Sequence, residues 1–201
     1  MAIGFISDTH GAYEDTKKAL ELLKDCEVII HLGDVLYHGP RNNLPVDYDT
    51  AKLAELLKAQ DNIVYVRGNC DSDVDQMVIE KDLSNRLGIF NFEDLRIFAV
   101  HGYEETEEER FYQADFYVAD IVASGHTHKK VLDGFKGRLI LNPGSVAIPK
   151  DGIKSVARIR DRVAELLDLE TGEVLDAVKL DEIEKEEGMI EDQNFFVGEL
   201  F

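Results

Sequence analysis

The sequence has few basic residues, no tryptophan and only two cysteines among 201 residues. Its 22 Lys and Arg stand against 41 Asp and Glu, which gives a formal net charge of −19. Because counterion-release binding requires Lys and Arg, this balance argues against a general nucleic-acid binder and against binding to anionic membranes. The acidic excess is greatest late in the chain, where residues 161–201 contain 14 acids and 3 bases.

Long apolar runs are also missing from the sequence. No stretch approaches the roughly 18 apolar residues of a membrane-spanning helix. The first residues are too short an apolar run for a signal peptide and have no basic segment before them. Cys26 and Cys70 are too few for a disulfide framework and are interpreted as reduced thiols. These absences predict a cytoplasmic globular protein.

Six short apolar runs, rich in β-branched residues, predict buried strands. They cover residues 3–6, 28–30, 63–66, 97–100, 121–123 and 139–141. Amphipathic patterns at residues 13–24 and 47–59 predict helices between the first three runs, which favours an α/β architecture. Residues 84–100 predict an antiparallel hairpin, and residues 153–180 predict two or three further strands. The expected sheet is therefore mixed.

Each apolar run is followed by residues of the types that bind metals or phosphates. These segments are Ser7-Asp8-Thr9-His10, Gly33-Asp34, Arg67-Gly68-Asn69-Cys70-Asp71, His101-Gly102, Gly125-His126-Thr127-His128 and Asn142-Pro143-Gly144-Ser145. Each motif alone is common by chance, but α/β sheets bind ligands beyond the carboxyl ends of their strands, so together they predict one cleft. A mixed oxygen and nitrogen ligand set suits Mn, Fe, Zn or Mg, and seven candidate ligands suit two ions.

The motifs D-x-H, G-D, G-N-C-D, H-G and G-H-x-H, in this order, resemble the calcineurin-like metallophosphoesterase superfamily. Residues 33–45, 66–77 and 142–150 resemble most closely the small bacterial YfcE-like phosphodiesterases. This resemblance implies an αββα sandwich of mixed β-sheets flanked by helices. We expect the metallophosphoesterase domain at residues 1–180. An acidic tail at residues 181–201 ends in apolar Phe195, Phe196, Leu200 and Phe201.

The resemblance also implies a role for each motif residue. One ion is expected on Asp8, His10 and His128, the other on Asn69, His101 and His126, with Asp34 bridging them. The implied activity is that of a dimetal phosphodiesterase, in which a hydroxide between the ions attacks phosphorus. Two divalent ions are expected, manganese first, with iron, zinc or magnesium as alternatives.

Cys70 departs from many members of the superfamily, which have histidine at this position. That histidine, paired with the next acid, is thought to protonate the leaving group or orient the substrate. A thiol is a weaker donor without imidazolium charge, so Cys70 and Asp71 predict weak phosphomonoesterase activity and a preference for diesters. In the loop after Asp34, His38 and Arg41 are candidate substrate contacts.

Structural interpretations are favoured for His31 and for the acidic run at residues 104–109, which both lie near the motifs. His31 precedes Gly33-Asp34 and is interpreted as a structural residue or one that orients a ligand. The acidic run at residues 104–109 is interpreted as a solvated helix start, which near the cleft also disfavours highly anionic substrates such as nucleoside triphosphates.

Two other functions stay open at this point. One is a phosphomonoesterase or protein phosphatase on the same scaffold. The other is a non-catalytic interaction scaffold like the retromer subunit with this fold, which the apolar end of the tail favours. All seven candidate ligands are present, which favours an enzyme over a scaffold, whereas Cys70 and the small size of the chain count against a phosphomonoesterase or protein phosphatase. A homodimer or homotetramer is compatible with an enzyme of this size.

Overall fold

Two mixed β-sheets pack face to face in the computed structural model, which describes residues 2–184. Within this range the strands are β1 (Ala2–Ile6), β2 (Val28–His31), β3 (Ile63–Tyr65), β4 (Leu87–Phe92), β5 (Leu95–Val100), β6 (Ile121–Ala123), β7 (Lys130–Phe135), β8 (Arg138–Pro143), β9 (Ser155–Arg160), β10 (Val163–Asp168) and β11 (Val174–Lys179). The helices are α1 (Tyr13–Leu22), α2 (Thr50–Lys58), α3 (Asp73–Ile79) and α4 (Glu107–Phe116), followed late in the chain by a 3₁₀ turn at Leu180–Glu182.

Each sheet has parallel strands beside antiparallel ones. The six-stranded sheet has the order β11-β10-β9-β1-β2-β3, in which β1, β2 and β3 are parallel and the others antiparallel. The five-stranded sheet has the order β4-β5-β6-β8-β7, in which β5, β6 and β8 are parallel. The mixed sheets and the hairpin at β4 and β5 confirm the sequence predictions.

Alternating side chains divide the core into layers. In β1, Ile3 and Phe5 face the five-stranded sheet, whereas Ala2 and Ile6 face α1 and α2. In β5, Ile97 faces the six-stranded sheet, and its neighbours on the other face pack against α4. Because both faces of these central strands are buried, they have the near-continuous apolar sequences that predicted them. The result is the expected αββα sandwich.

Two elements, α3 and β7, were not predicted from the sequence. Helix α3 has seven residues and few buried side chains, so its apolar periodicity is weak; a Ser72–Asp75 capping box marks its start. In strand β7 only Leu132 is buried. Its sequence therefore lacks the alternation of apolar and polar residues that predicts a half-buried strand. Helix α4 begins within the acidic run, as interpreted, and extends to Phe116.

The last described residues continue along the sandwich. Leu180 and Ile183 pack against the apolar layer between the sheets. The apolar residues Phe195, Phe196, Leu200 and Phe201 of the expected tail lie outside the described residues. No helix within residues 2–184 has both the length and the apolar character needed to cross a membrane.

The topology brings the candidate ligands to one edge of the sandwich. Parallel strands β1 and β2 end just before Asp8, His10 and Asp34, while β5 and β6 end just before His101 and the 126–128 loop. Ligands from both sheets therefore meet beyond the carboxyl ends of parallel strands, as the motif positions predicted.

Candidate metal centre

Three buried side chains converge where the loops after β1 and β6 meet. Nε2 of His128 lies 3.1 Å from Oδ1 of Asp8, and Nε2 of His10 lies 3.6 Å from the same oxygen. The two Nε2 atoms are 3.2 Å apart. Asp8, His10 and His128 are all buried, so little water reaches these atoms.

Backbone carbonyls fix the orientation of these imidazoles. Nδ1 of His10 donates to the carbonyl of Tyr37 at 2.7 Å, and Nδ1 of His128 donates to the carbonyl of Ile148 at 2.8 Å. Since a carbonyl only accepts, each neutral ring carries its proton on Nδ1 and a lone pair on Nε2. Two lone pairs and a carboxylate oxygen thus point at one place, which is the arrangement of a metal site with oriented histidines.

Asp34 links this group to a second set of ligands. Its Oδ2 lies 3.7 Å from Nε2 of His10 and 3.4 Å from Nε2 of His101. Nδ1 of His101 donates to the carbonyl of Leu32 at 2.6 Å, so Nε2 is the ring nitrogen left to face Asp34 and a bound cation. Asp34 therefore lies between two nitrogen ligands, as a bridging carboxylate would.

Unpaired polar atoms test whether these residues fit divalent metals. Within the described chain, Oδ1 of Asp8 and Nε2 of His101 are buried and have no hydrogen-bond partner. A buried polar group without a partner costs about 1–3 kcal/mol, so such atoms in a native structure require an explanation. Carboxylate oxygens and neutral imidazoles are ligands of Mn, Fe and Zn, and the set fits such ions.

His126 and Asn69 lie at the outer side of this group. The His126 ring is 5.2 Å from the His101 ring between centroids, and its backbone N–H donates to Oδ2 of Asp8 at 3.1 Å. Asn69 is exposed, and its Nδ2 donates to Sγ of Cys70 at 3.2 Å. The structure thus brings Asp8, His10, Asp34, His101 and His128 together, places the His126 ring beside them and leaves the Asn69 side chain at the rim.

Five of the candidate ligands have a left-handed backbone conformation, which is uncommon outside glycine. Their φ angles are 54° for Asp8, 43° for His10, 58° for Asp34, 63° for His126 and 56° for His128. Each such residue costs of the order of 1–3 kcal/mol and persists only where the surroundings impose it. Strain concentrated on these residues indicates a functional site.

Two motif glycines are required by close approach between loops. A Cβ on Gly68 would lie 2.2 Å from Oδ1 of Asp34, and one on Gly125 would lie 2.0 Å from Oγ of Ser7. Ser7 donates in turn to Oδ2 of Asp8 at 2.6 Å. Any side chain at either glycine would therefore displace a candidate ligand.

The two carboxylates and their histidines shift each other's pKa values. Burial alone would raise the pKa of Asp8, but the His10 and His128 imidazoles beside its carboxylate hold it well below its usual range. Burial alone would lower the pKa of His101, but the carboxylates of Asp34 and Asp8 raise it to about 9. The pKa of His10 is raised for the same reason. The centre thus attracts positive charge, which divalent cations supply.

Asp71 holds the two loops around Asp34 together. Its carboxylate accepts hydrogen bonds from the backbone N–H groups of Asp34, Val35 and Gly68, at 2.9, 2.7 and 2.7 Å. The neighbouring Cys70 donates its backbone N–H to Oδ1 of Asp34 at 2.8 Å. Burial and the charge of Asp34 raise the pKa of the Cys70 thiol, which therefore stays neutral.

His31 has a structural environment. Its Nε2 lies 3.0 Å from Oγ1 of Thr9, which itself donates to the carbonyl of Val35, so Nε2 is the donor. Its Nδ1 accepts from the backbone N–H of Gly33 at 3.1 Å. Burial lowers the pKa of His31 to about 3, so the ring is a neutral link between the first two ligand loops.

The two candidate substrate contacts lie in the loop after Asp34. The half-buried His38 ring packs edge-on against Tyr37 and Tyr48, and its Nδ1 is buried without a partner in the described chain. Arg41 is exposed. A Cβ on Gly39 would lie 3.2 Å from Sγ of Cys70, so this loop passes beside the centre.

Two groups near the centre were not predicted from the sequence. The carbonyls that orient the histidines carry no sequence signal, because every residue has one. The Tyr103 ring lies 5.9 Å from the His101 ring and 6.1 Å from the His126 ring, with the Arg86 guanidinium 5.9 Å from its centroid. The position of Tyr103, directly after His101-Gly102, was the available signal.

A family model, the calcineurin-like phosphoesterase superfamily domain, matches residues 1–161. The chain belongs to this superfamily. Phosphodiesterase YfcE of Escherichia coli is 39% identical over 155 residues, which cover 76% of this chain and 83% of the relative. A phosphodiesterase of Methanocaldococcus jannaschii is 29% identical over 164 residues, which cover 78% of this chain and 90% of the relative.

Two solved structures share the fold of this chain. The E. coli phosphoesterase YfcE superposes with a TM-score of 0.81 at 33% identity, covering 90% of this chain and all of that one. Vps29 of Entamoeba histolytica, in complex with Zn²⁺, has a TM-score of 0.63 at 18% identity and covers 90% of this chain and 99% of its own. At that identity the likeness to Vps29 shows the fold alone.

Proposed function

We propose that the chain is a metal-dependent phosphodiesterase that hydrolyses a small phosphodiester at the centre around Asp34. The observation that carries this proposal is the position of Oδ2 of Asp34 between Nε2 of His10 and Nε2 of His101. Membership of the superfamily and two relatives named phosphodiesterases support the same activity.

In this proposal the ligands divide into two sets. Asp8, His10 and His128 would hold one ion, Asn69, His101 and His126 would hold the other, and Asp34 would be shared by the two sets. When bound, two divalent ions neutralise the phosphate charge and supply a nucleophile at neutral pH. Asn69 must turn its amide oxygen inward from its present contact with Cys70 to complete the second set.

The residues around the ligands orient the substrate and determine which substrate charge the site prefers. Asp71 acts through three backbone N–H groups and fixes the position of Asp34. The neutral Cys70 thiol offers a weak proton donor and no positive charge, which suits a diester monoanion better than a monoester dianion. His38 and Arg41, from the loop beside Cys70, are proposed to contact the substrate.

The proposal also covers the identity of the metal, the cellular location of the chain and its partners. Manganese is proposed first, because carboxylate and imidazole ligands suit it, with iron, zinc or magnesium as alternatives. The two free thiols fit the cytoplasmic location expected from the sequence. The net charge of −19 supports neither general nucleic-acid binding nor membrane binding. A homodimer or homotetramer remains an expectation.

The alternative activities are less well supported. A phosphomonoesterase or protein phosphatase would work better with an imidazole than with the neutral thiol of Cys70. An interaction scaffold would not require strained, buried ligands, whereas five candidate ligands here have left-handed backbone conformations.

The decisive experiment measures metal content and hydrolysis of bis(p-nitrophenyl) phosphate with and without Mn²⁺. We expect metal-dependent hydrolysis that Asp34→Asn abolishes, with less metal bound to this variant. Asp133→Asn, which changes an exposed carboxylate on β7, is the matched control and should behave as the wild type. A folded, metal-loaded protein that hydrolyses no diester in a panel of cyclic nucleotides, lipid diesters and aryl diesters would falsify the proposal.

A further inference from the structure

Tyr103 forms an aromatic wall on one side of the candidate metal centre. Its half-buried ring lies 5.9 Å from the His101 ring and 6.1 Å from the His126 ring, between centroids. These two histidines belong to the same proposed ion. A phosphodiester bound there would therefore place one of its substituents beside Tyr103.

Contacts from Arg110 and Arg86, on two neighbouring segments, hold the Tyr103 ring in place. Arg110 donates to the carbonyl oxygens of Gly102 and Glu105, at 3.2 and 3.4 Å, and so holds the segment that carries Tyr103. Arg86 places its guanidinium 5.9 Å from the centroid of the Tyr103 ring. The ring is therefore positioned before any substrate arrives, which reduces the entropy lost on binding.

Arg86 is itself tied to the ligand loops. It forms an ion pair with Glu104. The residue before it, Asn85, accepts the backbone N–H of Arg67 at 2.8 Å, and Arg67 directly precedes the Gly68-Asn69-Cys70 loop. Because its charge is shared with Glu104 and the ring, Arg86 is a weak partner for a second phosphate group.

The charges around Tyr103 favour a neutral substituent. Glu104 and Glu105 follow it directly, and three further glutamates form the first turn of α4. A substituent that carried its own phosphate would meet these carboxylates, and the nearby cations Arg86 and Arg110 are already engaged. An uncharged aromatic ring avoids this repulsion and gains contact with the Tyr103 ring.

We propose that Tyr103, positioned by Arg86, packs against an aromatic substituent of the substrate and makes diesters with an uncharged aryl or similar planar group the preferred class. This inference rests on the proposed phosphodiesterase function. It assigns Tyr103 a role in specificity, through contact with the substrate, and assigns Arg86 a positioning role.

The experiment compares the binding of two slowly hydrolysed diesters, diphenyl phosphate and diethyl phosphate, to the Mn²⁺-loaded full chain by titration calorimetry. Both are monoanions, so their affinity ratio isolates the contribution of the rings. We expect the wild type to prefer diphenyl phosphate, and Tyr103→Ala to reduce that preference about five-fold, within the range of a lost aromatic contact. Tyr103→Phe should retain the preference, and Arg86→Ala should reduce it by a smaller factor.

The controls separate this inference from the proposed function. Tyr112→Ala removes an exposed ring from the same acidic segment and should leave the preference unchanged. If Tyr103→Ala does not fold, Tyr103→Leu tests the same contact, with the same loss of preference expected. If Tyr103→Ala prefers diphenyl phosphate as strongly as the wild type does and still hydrolyses bis(p-nitrophenyl) phosphate, the role of Tyr103 is overturned and the proposed function stands. If the wild type neither hydrolyses nor binds any diester, the proposed function fails.

Discussion

The thiol of Cys70 is the proton donor that the centre has beside Asp34. Its backbone N–H holds Oδ1 of Asp34 at 2.8 Å, and its Sγ lies within 4.8 Å of the nearest ligand atoms of His10 and Asp34. Burial and the charge of Asp34 raise the pKa of the thiol, so it does not ionise at neutral pH. The residue is thus close enough to affect a leaving group but chemically poor at protonating one.

Replacing this thiol with an imidazole should extend the substrate range. We expect Cys70→His to raise kcat/KM for phenyl phosphate about ten-fold or more, because a positioned general acid contributes about 10²–10⁴-fold to such reactions. Cys70→Ser is the matched control, which keeps a small side chain without an imidazole and should show no gain. Steady-state rates on phenyl phosphate check this, and an unchanged rate in the histidine variant would contradict the role of Cys70.

His31 should make stability depend on pH. Its pKa is about 3 in the folded protein and near 6.5 when unfolded, so folding excludes a proton at intermediate pH. The stability that its neutral form contributes is complete above about pH 6.5 and is lost as the pH falls toward 3. Between pH 6 and pH 4 this single group should lower the free energy of unfolding by roughly 2 kcal/mol.

The variant His31→Gln tests this linkage. An amide can still donate to Thr9 and accept from Gly33 but does not titrate. Urea unfolding of the metal-free wild type and variant at pH 6 and pH 4 should show a smaller loss of stability in the variant. Equal losses would mean that His31 does not carry the pH dependence.

At the scale of the element, Asp71 connects the loop after β2 to the loop after β3. Three backbone N–H groups converge on its two oxygens. Asp71→Asn keeps the shape but replaces one acceptor with an NH₂ group, which leaves at least one buried N–H unpaired. We expect a loss of about 1–3 kcal/mol in unfolding free energy and a 10- to 100-fold loss in metal affinity.

Thermal unfolding and metal titration check both effects of Asp71→Asn. The matched control is Asp73→Asn, whose side chain is exposed and pairs with Arg67 at the protein surface. This control should change stability by less than about 1 kcal/mol, as exposed ion pairs do. If metal affinity stays at the wild-type value in Asp71→Asn, the carboxylate does not position Asp34.

Strong burial made several strands predictable from the sequence. Strands such as β1 and β6 are buried throughout, so their composition alone identifies them. Strand β7 is exposed along most of its length and α3 is short, so neither leaves a clear apolar period.

The candidate ligands were predictable by residue type and order, but their geometry was not. The left-handed conformation of residues such as Asp8 and Asp34 is imposed by contacts from distant loops. Ser145, for example, donates to the backbone carbonyl of Asp8 at 2.8 Å from 137 positions away. Tyr103 was missed because an aromatic residue next to a motif is also typical of a packed loop.

At the scale of the whole molecule, the centre joins the two sheets of the sandwich. Asp8, His10 and Asp34 follow strands of the six-stranded sheet, whereas His101 and His128 follow strands of the five-stranded sheet. An ion bound by both groups therefore cross-links the two halves of the fold. Its binding free energy acts against any unfolding that separates the sheets.

Metal removal should accordingly destabilise the whole molecule in one transition. At free Mn²⁺ a hundred times the dissociation constant, one occupied site adds about 2.7 kcal/mol to the free energy of unfolding. For a domain of this size that corresponds to about 5–10 °C in Tm. We expect Tm to fall by at least this amount when EDTA is added, and to rise again with excess Mn²⁺.

Two variants decide whether this stabilisation comes from the centre. Asp34→Asn should unfold at nearly the same temperature with Mn²⁺ and with EDTA, because the loss of the bridging carboxylate weakens both proposed sites. Asp133→Asn, on the outer strand β7, should keep the full difference. A Tm that does not respond to EDTA in the wild type would show that the convergent ligands of the two sheets hold no stabilising ion, and the strain at their left-handed residues would need another cause.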